Sequence, residues 1–415
     1  MEPTSTGSGN LKPRLSTLTM VGMSFAILNT WIARAGSLGL VMPSGSSVAF
    51  AYGFIFCVLC NLCIGASLGE MASIWPTAVT TEAFFSVQFF SAAGVVGSGG
   101  RYVPEAWKTY LIMVAISTYG MLVNALLMNM VMYWSITGVI VISIIILAMG
   151  DKNDADFVFT NFVNETGYTD GVAWILGLLQ SVLSLIGYDA VIHMTDEMPW
   201  PRSDAPKAIL LSIVVKGVTD GTAFILMLFS LTVQEMVFGM ETGMAITELM
   251  YQATKSRAAA VVVTVMLGVC FINGTMGSMT SASRLVYAMA RLDDPFEAIT
   301  FTQIFDLCFG LLYLGPTIAF GVYTTSCTIF LNLSCAMRIA ILLLRGRAVL
   351  TAHHSPAKPF TLGRWGYLCS IVSVVFVGVT TAMNYVSAMI GIFLVLLTTY
   401  WFVYGRRFEG PVSFL

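Results

Sequence analysis

Gly187-Tyr188-Asp189-Ala190 is followed in this chain by His193, by Asp196-Glu197 and by a proline-broken run from Pro199 to Pro206. The stretch begins where a long apolar run becomes polar. A carboxylate and a glycine that interrupts a helix are costly in lipid, so together they usually mark a place where something polar is bound. If the flanking sequence lies in a bilayer, the stretch predicts a broken helix at membrane depth.

The composition of the whole chain is that of a membrane protein. The chain has 415 residues, of which 57% are hydrophobic and 10% are charged, and its mean hydropathy is +0.83. Soluble domains carry about 25% charged residues, so a globular protein this poor in charge could not cover its surface. The net charge of −2 argues against nucleic acid or a broadly anionic surface as a partner.

Apolar runs long enough to cross a bilayer recur along the chain. About 20 apolar residues are sufficient for one crossing, and the clear candidates are 17–42, 48–75, 109–128, 131–149, 172–194, 208–232, 257–281, 317–344, 365–383 and 385–404. Two weaker candidates are 82–98 and 299–315. We therefore predict an all-α polytopic membrane protein with about 10 to 12 transmembrane helices.

Loop charges predict the orientation of these helices. The loop 345–364 carries arginine and lysine without acid, which is typical of a cytoplasmic loop. The loop 150–171 is acidic and contains the sequon Asn164-Glu165-Thr166, so it is expected outside, with Asn164 as a candidate glycosylation site. With the N-terminus inside, this orientation requires both weak segments to cross, which gives about 12 spans.

This orientation divides the chain into three parts. We predict a cytoplasmic N-terminal tail over 1–15, a transmembrane domain over 16–404 and a cytoplasmic C-terminal tail over 405–415.

Ionisable residues inside the predicted spans each need an explanation, because each costs on the order of 2.5–3.5 kcal/mol at a helix centre. They are Arg34, Asp189, Lys216, Asp220, Asp306 and Arg338. Lys216 and Asp220 are four residues apart on one helix face, so we expect them to pair with each other. Arg34 and Asp189 differ, because both lie in polar, small-residue patches that predict broken helices. Two such helices, separated by four spans, favour a substrate site between inverted halves; the alternative is two kinks stabilised by neighbouring helices.

Three stretches give the chain its resemblance to a known family. They are Phe25-Ala26-Ile27-Leu28-Asn29-Thr30-Trp31 with Pro43-Ser44-Gly45 and Ser67-Leu68-Gly69-Glu70-Met71 to Trp75-Pro76-Thr77-Ala78; then Gly187-Tyr188-Asp189-Ala190 through Glu197 to Ala208; and Ser281-Ala282-Ser283-Arg284 to Arg291. In these stretches the chain resembles a fungal amino acid permease of the amino acid–polyamine–organocation superfamily, in the branch of GABA and choline permeases. The resemblance extends over most of the chain.

The resemblance implies a LeuT-like five-plus-five inverted repeat in which spans 1 and 6 are broken. It implies secondary active transport of amino acids or related amines (GABA, choline or polyamines) by alternating access, without a cofactor or metal. The implied substrate-binding residues are Asn29, Thr30, Trp31, Ile32, Gly187, Tyr188, Asp189 and Ala190, with Tyr188 resembling an aromatic gate. Arg34 is a candidate charge partner of Asp189. A coupled proton and the plasma membrane are further expectations, with the vacuolar membrane as an alternative.

Some departures from the family pattern keep a second interpretation open. Val79-Thr80-Thr81 leads into a short third segment, and Leu292-Asp293-Asp294-Pro295 replaces the expected glycine-rich sequence. The chain is therefore expected to be internally shortened, and it could be a non-transporting or decayed permease-like protein, or a nutrient sensor. An intramembrane enzyme is disfavoured, because the three histidines do not form a His/Glu metal-binding helix signature.

Overall fold

The computed structural model describes residues 16–28, 31, 38, 41–73, 106–195, 198–231, 245–290, 300, 302–304, 307–308, 310–314, 317–347, 350, 360–381, 391, 395, 398–399 and 402. The helices in these ranges are α1 (Thr17–Leu28), α2 (Ser46–Ala72), α3 (Ala106–Met149), α4 (Ala155–Thr160), α5 (Asp170–Leu185), α6 (Ala190–His193), α7 (Pro201–Phe229), α8 (Ala245–Thr254), α9 (Arg257–Ala290), α10 (Thr317–Arg345) and α11 (Gly366–Thr381). The β structure in these ranges is one isolated bridge, between Ser44 and Asn164. The all-helical prediction is confirmed there.

Four stretches within the described ranges are long and apolar enough to cross a membrane. They are Ser46–Ala72, Asp170–His193, Pro201–Phe229 and Gly363–Thr381. Each coincides with a span predicted from the sequence. The predicted segment 82–98, most of 385–404 and both predicted tails lie outside the described residues, and 299–315 is described only in part, including a 3-10 turn at Leu311–Leu314.

The structure differs from the prediction between residues 106 and 149. The sequence predicted two spans there, whereas α3 is one helix of 44 residues. Its sequence contains no proline, so nothing forces a break. At 1.5 Å per residue the helix is about 66 Å long, more than twice the ~30 Å hydrocarbon core. Counted as a single crossing, α3 would place the loop 150–171 outside without a crossing by 82–98, so the loop charges no longer require that segment to cross.

The centre of the bundle is built around α1 and α2. Helix α1 packs against α3, α6, α7 and α9, and α2 packs against α5, α7 and α11. Glycines allow these helices to approach closely: a Cβ atom on Gly65 would lie 2.5 Å from Cδ1 of Ile213, and one on Gly53 would lie 2.8 Å from Cδ2 of Leu178. Small residues at such crossings are typical of membrane helices.

The acidic and basic loops contact opposite ends of α2. At its beginning, Gly45 N donates to Val163 O at 2.8 Å, and Ser47 Oγ donates to Phe157 O at 2.6 Å, both in the acidic loop. At its end, Glu70 pairs with Arg347 in the basic loop. The 27 residues of α2 span about 40 Å. The two loops therefore lie at opposite ends of the bundle, and the assignment of the basic end to the cytoplasm stays a prediction.

Candidate functional site

The predicted interruption after residue 185 is present. Helix α5 ends at Leu185, Ile186 is extended with φ −66° and ψ 175°, and a short helix begins at Ala190. Between them, Gly187 has φ +92°, a left-handed conformation that residues with a Cβ adopt only at a cost. A Cβ atom at this position would also lie 2.9 Å from Cγ2 of Ile27. Both the backbone angle and the space require glycine at position 187.

Two carbonyl groups freed by the break receive donors from other helices. Lys216 on α7 is fully buried, and its Nζ donates to Ile186 O at 2.9 Å. Ser24 on α1 is also buried, and its Oγ donates to Gly187 O at 3.2 Å. An unpaired backbone carbonyl in an apolar interior is costly, so these two side chains stabilise the interrupted conformation.

Ile27 lies where three elements meet. Its Cγ2 faces Gly187 in the break, and its Cγ1 would be 2.8 Å from a Cβ atom on Gly277 of α9. The side chain therefore fits between two glycines, one on each side. This contact holds α1 against both the break and α9, and it places Gly187 and Gly277 at the same depth in the bundle.

Tyr188 is fully buried against α2. Its hydroxyl donates to Asn61 Oδ1 at 3.1 Å, and Asn61 Nδ2 donates to Cys57 O at 2.9 Å. The tyrosine thus connects the break to the middle of α2. The aromatic gate that the resemblance implied for Tyr188 stays a prediction.

Asp189 and His193 form a buried polar pair at the start and end of α6. Asp189 is 2% exposed, and its Oδ2 lies 3.6 Å from Nε2 of His193. Asp189 Oδ1 and both ring nitrogens of His193 have no hydrogen-bond partner among the described residues. Lys216 and Arg338 are the cations whose field reaches the carboxylate. A buried carboxylate oxygen with unused acceptor capacity is suited to bind a cationic donor.

Of the site residues predicted in span 1, the structure describes Trp31. The ring is fully buried, and its Nε1 donates to Ser135 Oγ on α3 at 3.1 Å. Asn29, Thr30, Ile32 and the candidate charge partner Arg34 lie outside the described residues. In span 6, Ala190 is buried at the start of α6, beside Asp189.

The sequence did not indicate Ser24, Ile27 and Asn61 as neighbours of the break, and it placed His193 there without a role. Lys216 was recognised as unusual but was assigned to Asp220, and the structure adds its bond to the Ile186 carbonyl. Asn61 had a recognisable signal, since an amide in the middle of an apolar span needs a partner. Within the described ranges, no group of three His, Cys, Asp or Glu side chains is placed to hold a metal ion.

Asn164, the candidate glycosylation site, lies in a hydrogen-bonded turn of the acidic loop. Its Oδ1 accepts bonds from Thr166 N at 3.1 Å and from Thr166 Oγ1 at 2.7 Å. Its Nδ2 donates to Tyr168 O at 2.7 Å and to Asp170 Oδ1 at 2.9 Å. The side chain orders this turn, and its glycosylation stays a prediction.

Comparison with known proteins gives a consistent result. The sequence profile of the family described as amino acid permease matches residues 73–404. The chain is 26% identical to the choline transporter of Saccharomyces cerevisiae over 473 aligned positions, which cover 97% of this chain and 83% of that protein. It is 25% identical to a putative amino acid/polyamine transporter of Macrophomina phaseolina, covering 85% and 90% of the two chains. It is 24% identical to the amino-acid permease BAT1 of Arabidopsis thaliana, covering 97% and 94%.

Proposed function

The chain belongs to the amino acid permease family, and on this premise we propose that it moves amino acids or related small amines across a membrane by alternating access. Its family and its relatives are transporters, so the chain is a multi-pass membrane transporter and not an enzyme. The resemblance to a permease and the all-helical polytopic fold expected from the sequence agree with this membership.

The unused oxygen of Asp189 carries the proposal. Amino acids, GABA, choline and polyamines share a cationic nitrogen, and a buried carboxylate is the group in this site that complements it. Because the carbonyls of Ile186 and Gly187 are occupied by Lys216 and Ser24, they contribute less to cation binding. Recognition of the substrate cation therefore falls mainly on Asp189, at the end of the break.

The rest of the proposed site follows from the resemblance. Asn29, Thr30, Trp31 and Ile32 in span 1 would face Gly187, Tyr188, Asp189 and Ala190 in span 6. The bond from Ser24 to Gly187 supports this arrangement, because it joins α1 to the break only a few residues before Asn29. An inverted-repeat core with span 1 also broken is part of the same proposal.

Transport would be secondary active, with a proton as the proposed coupling ion and the plasma membrane as the proposed location. Support for the proton comes from the buried, ionisable Asp189 and His193 at the break. The choline and polyamine transporters among the relatives support a substrate class of small organic cations and zwitterions.

An uptake panel tests the proposal. The full chain is expressed in a host that lacks its own amino acid, GABA, choline and polyamine uptake, and accumulation of each labelled compound is measured with and without a proton gradient. We expect accumulation of at least one amine-bearing compound. Absence of accumulation for the whole panel, with the protein shown to be in the membrane, would contradict transport and favour the non-transporting interpretation.

A further inference from the structure

A second buried charge cluster lies at the end of α2, away from the break. Glu70 Oε2 pairs with Arg347 Nη2, although the side chains are only 5% and 8% exposed. Glu70 Oε1 accepts a bond from Leu362 N at 3.2 Å. Arg347 Nη1 donates to Gly366 O at 3.1 Å and to Ser370 Oγ at 3.0 Å. One ion pair therefore joins the end of α2, the second residue after α10 and the beginning of α11.

The cluster is shaped around the guanidinium group. A Cβ atom on Gly366 would overlap the guanidinium group of Arg347, so the absence of a side chain at position 366 leaves room for the arginine in this position. The ring of Tyr367 lies with its centroid 5.6 Å from the guanidinium carbon. Both charges are thus desolvated and hydrogen-bonded, so the loss of either partner would leave an uncompensated buried charge.

The contact between α2 and α11 continues from the ion pair towards the N-terminus of α2. Ser67 Oγ and Ser370 Oγ are 3.4 Å apart. One further turn along α2, Cys63 lies beside Cys369 on α11. Small polar residues such as Ser67 and Ser370 allow membrane helices to pack closely, so α2 and α11 lie against each other beside the ion pair.

Helix α2 connects this cluster to the break. Asn61 binds the hydroxyl of Tyr188, and Glu70 lies nine residues further along the same helix, about 13 Å away. Beside Glu70, a Cβ atom on Gly69 would lie 3.2 Å from Cα of Pro206, at the start of α7. Helix α2 therefore contacts both the break and the Glu70–Arg347 cluster, so a movement of α2 relative to α10 and α11 would change the Glu70–Arg347 contact.

We propose that the Glu70–Arg347 ion pair is a latch that closes the end of the bundle at the basic loop 345–364, and that it opens during each transport cycle. The proposal rests on the proposed transport function for the meaning of the cycle. The closed latch itself is defined by contacts between α2, Arg347 and α11. Glu70 and Arg347 act as positioning residues, since neither lies at the break.

Thiol labelling tests the closed latch without any measurement of transport. Cys63 and Cys369 are partly exposed at the latched interface, and the fully buried Cys270 on α9 is an internal control. The purified full chain is treated with a maleimide, and labelling of each cysteine is quantified by peptide mass spectrometry. Glu70→Gln is expected to raise labelling of Cys63 and Cys369 by about tenfold while that of Cys270 stays unchanged, because loss of one partner opens a buried pair locally.

Two matched variants control this measurement. Asp204→Asn removes a carboxylate from a partly exposed pair with Lys207 and should leave all labelling at the native level. Arg347→Lys keeps the charge but loses the two-pronged geometry, so labelling should lie between native and Glu70→Gln. An equal rise at Cys63, Cys369 and Cys270 would indicate general unfolding, and native labelling in Glu70→Gln would indicate that no latch exists; either result overturns the proposal.

A cross-link tests the opening. In a background in which Cys63 and Cys369 are replaced by alanine, Ser67→Cys combined with Ser370→Cys places two thiols where hydroxyl oxygens are now 3.4 Å apart. Copper phenanthroline oxidises these thiols to a disulfide, and dithiothreitol reduces it. Uptake should fall at least about tenfold on cross-linking and return on reduction. The reason is that the disulfide keeps the latch closed, so the protein cannot reach the open state that the transport cycle requires. The two single variants, treated in the same way, should be unaffected.

The outcomes separate the latch from the proposed function. Full uptake by completely cross-linked protein would overturn the opening step. If the native chain transports nothing, the proposed function fails, and the labelling comparison still decides whether the latch exists. If Glu70→Gln does not reach the membrane, Arg347→Lys tests the latch in its place. The latch requires that this variant also raises maleimide labelling of Cys63 and Cys369 selectively.

Discussion

The hydroxyl of Ser24 donates a hydrogen bond to the carbonyl of Gly187 at 3.2 Å, across 163 positions of sequence. This bond joins α1 to the interruption between α5 and α6. Since a carbonyl freed from a helix needs a donor in an apolar environment, the bond both stabilises the break and sets its depth relative to span 1.

Ser24→Ala should therefore weaken transport by loosening the break. Loss of one buried donor leaves the Gly187 carbonyl partly unsatisfied, which costs about 1 kcal/mol of unfolding free energy. We expect a lower thermal midpoint in detergent and a several-fold lower uptake rate. The matched control is Ser334→Ala, whose exposed hydroxyl bonds only within its own helix, to Leu331 O; an equal effect of both variants would argue against a special role for Ser24.

Gly187→Ala should be more damaging. The left-handed φ of +92° costs roughly 1–2 kcal/mol for a residue with a Cβ, and the new methyl group would lie 2.9 Å from Ile27. Uptake should fall at least about tenfold, while Gly378→Ala, which meets nothing within 4 Å in α11, should be neutral.

A double variant separates the two causes. Ile27→Leu combined with Gly187→Ala removes the Cγ2 atom that a Cβ at position 187 would meet, because leucine has no second γ carbon, but it leaves the backbone strain. Partial recovery of uptake is expected, measured under identical expression. Native uptake in the Gly187→Ala single variant would show that the interrupted geometry is unnecessary.

Lys216→Met tests the second carbonyl donor. Methionine keeps much of the length of lysine but cannot donate to Ile186 O, and it removes a cation whose field reaches Asp189. We expect uptake to fall by about tenfold or more, because the buried carbonyl and the buried carboxylate both lose stabilisation. Lys207→Met is the control, since that side chain is 67% exposed. Native uptake by Lys216→Met at normal surface levels would contradict the capping role.

The break was predictable from the sequence, whereas its partners were not. Gly187 and Asp189 stand out chemically within an apolar run, so local sequence was sufficient to place the interruption. Ser24 and Lys216 come from other helices, and nothing in their spacing connects them to residues 186 and 187. Sequence spacing pointed Lys216 to Asp220 because the two share a helix face, and the distant carbonyl could be found only from the packing.

Span boundaries show a different limit. The two spans predicted within 106–149 were separated because hydropathy counts lengths near 20 residues, but helix continuity depends on backbone hydrogen bonds. With no proline to remove a donor, the structure continues the helix through residues 129 and 130. The Glu70–Arg347 pair was hidden for another reason: Glu70 was seen as part of a family motif and Arg347 as one of several basic loop residues.

Asp189→Asn gives the most direct test of the proposed binding site. Asparagine has nearly the same size as aspartate but no charge, so the variant should fold and insert normally while losing attraction for the substrate's cationic nitrogen. A hydrogen bond to a charged group contributes about 1.5–3 kcal/mol, which corresponds to a fall in uptake of roughly 10- to 150-fold. Choline should be affected most among the tested compounds, because it has no carboxylate through which other contacts could retain it.

Asp151→Asn, in the exposed acidic loop, should leave uptake unchanged. Native uptake of every substrate by Asp189→Asn would exclude the carboxylate from recognition, and the substrate cation would then have to be held by backbone groups alone.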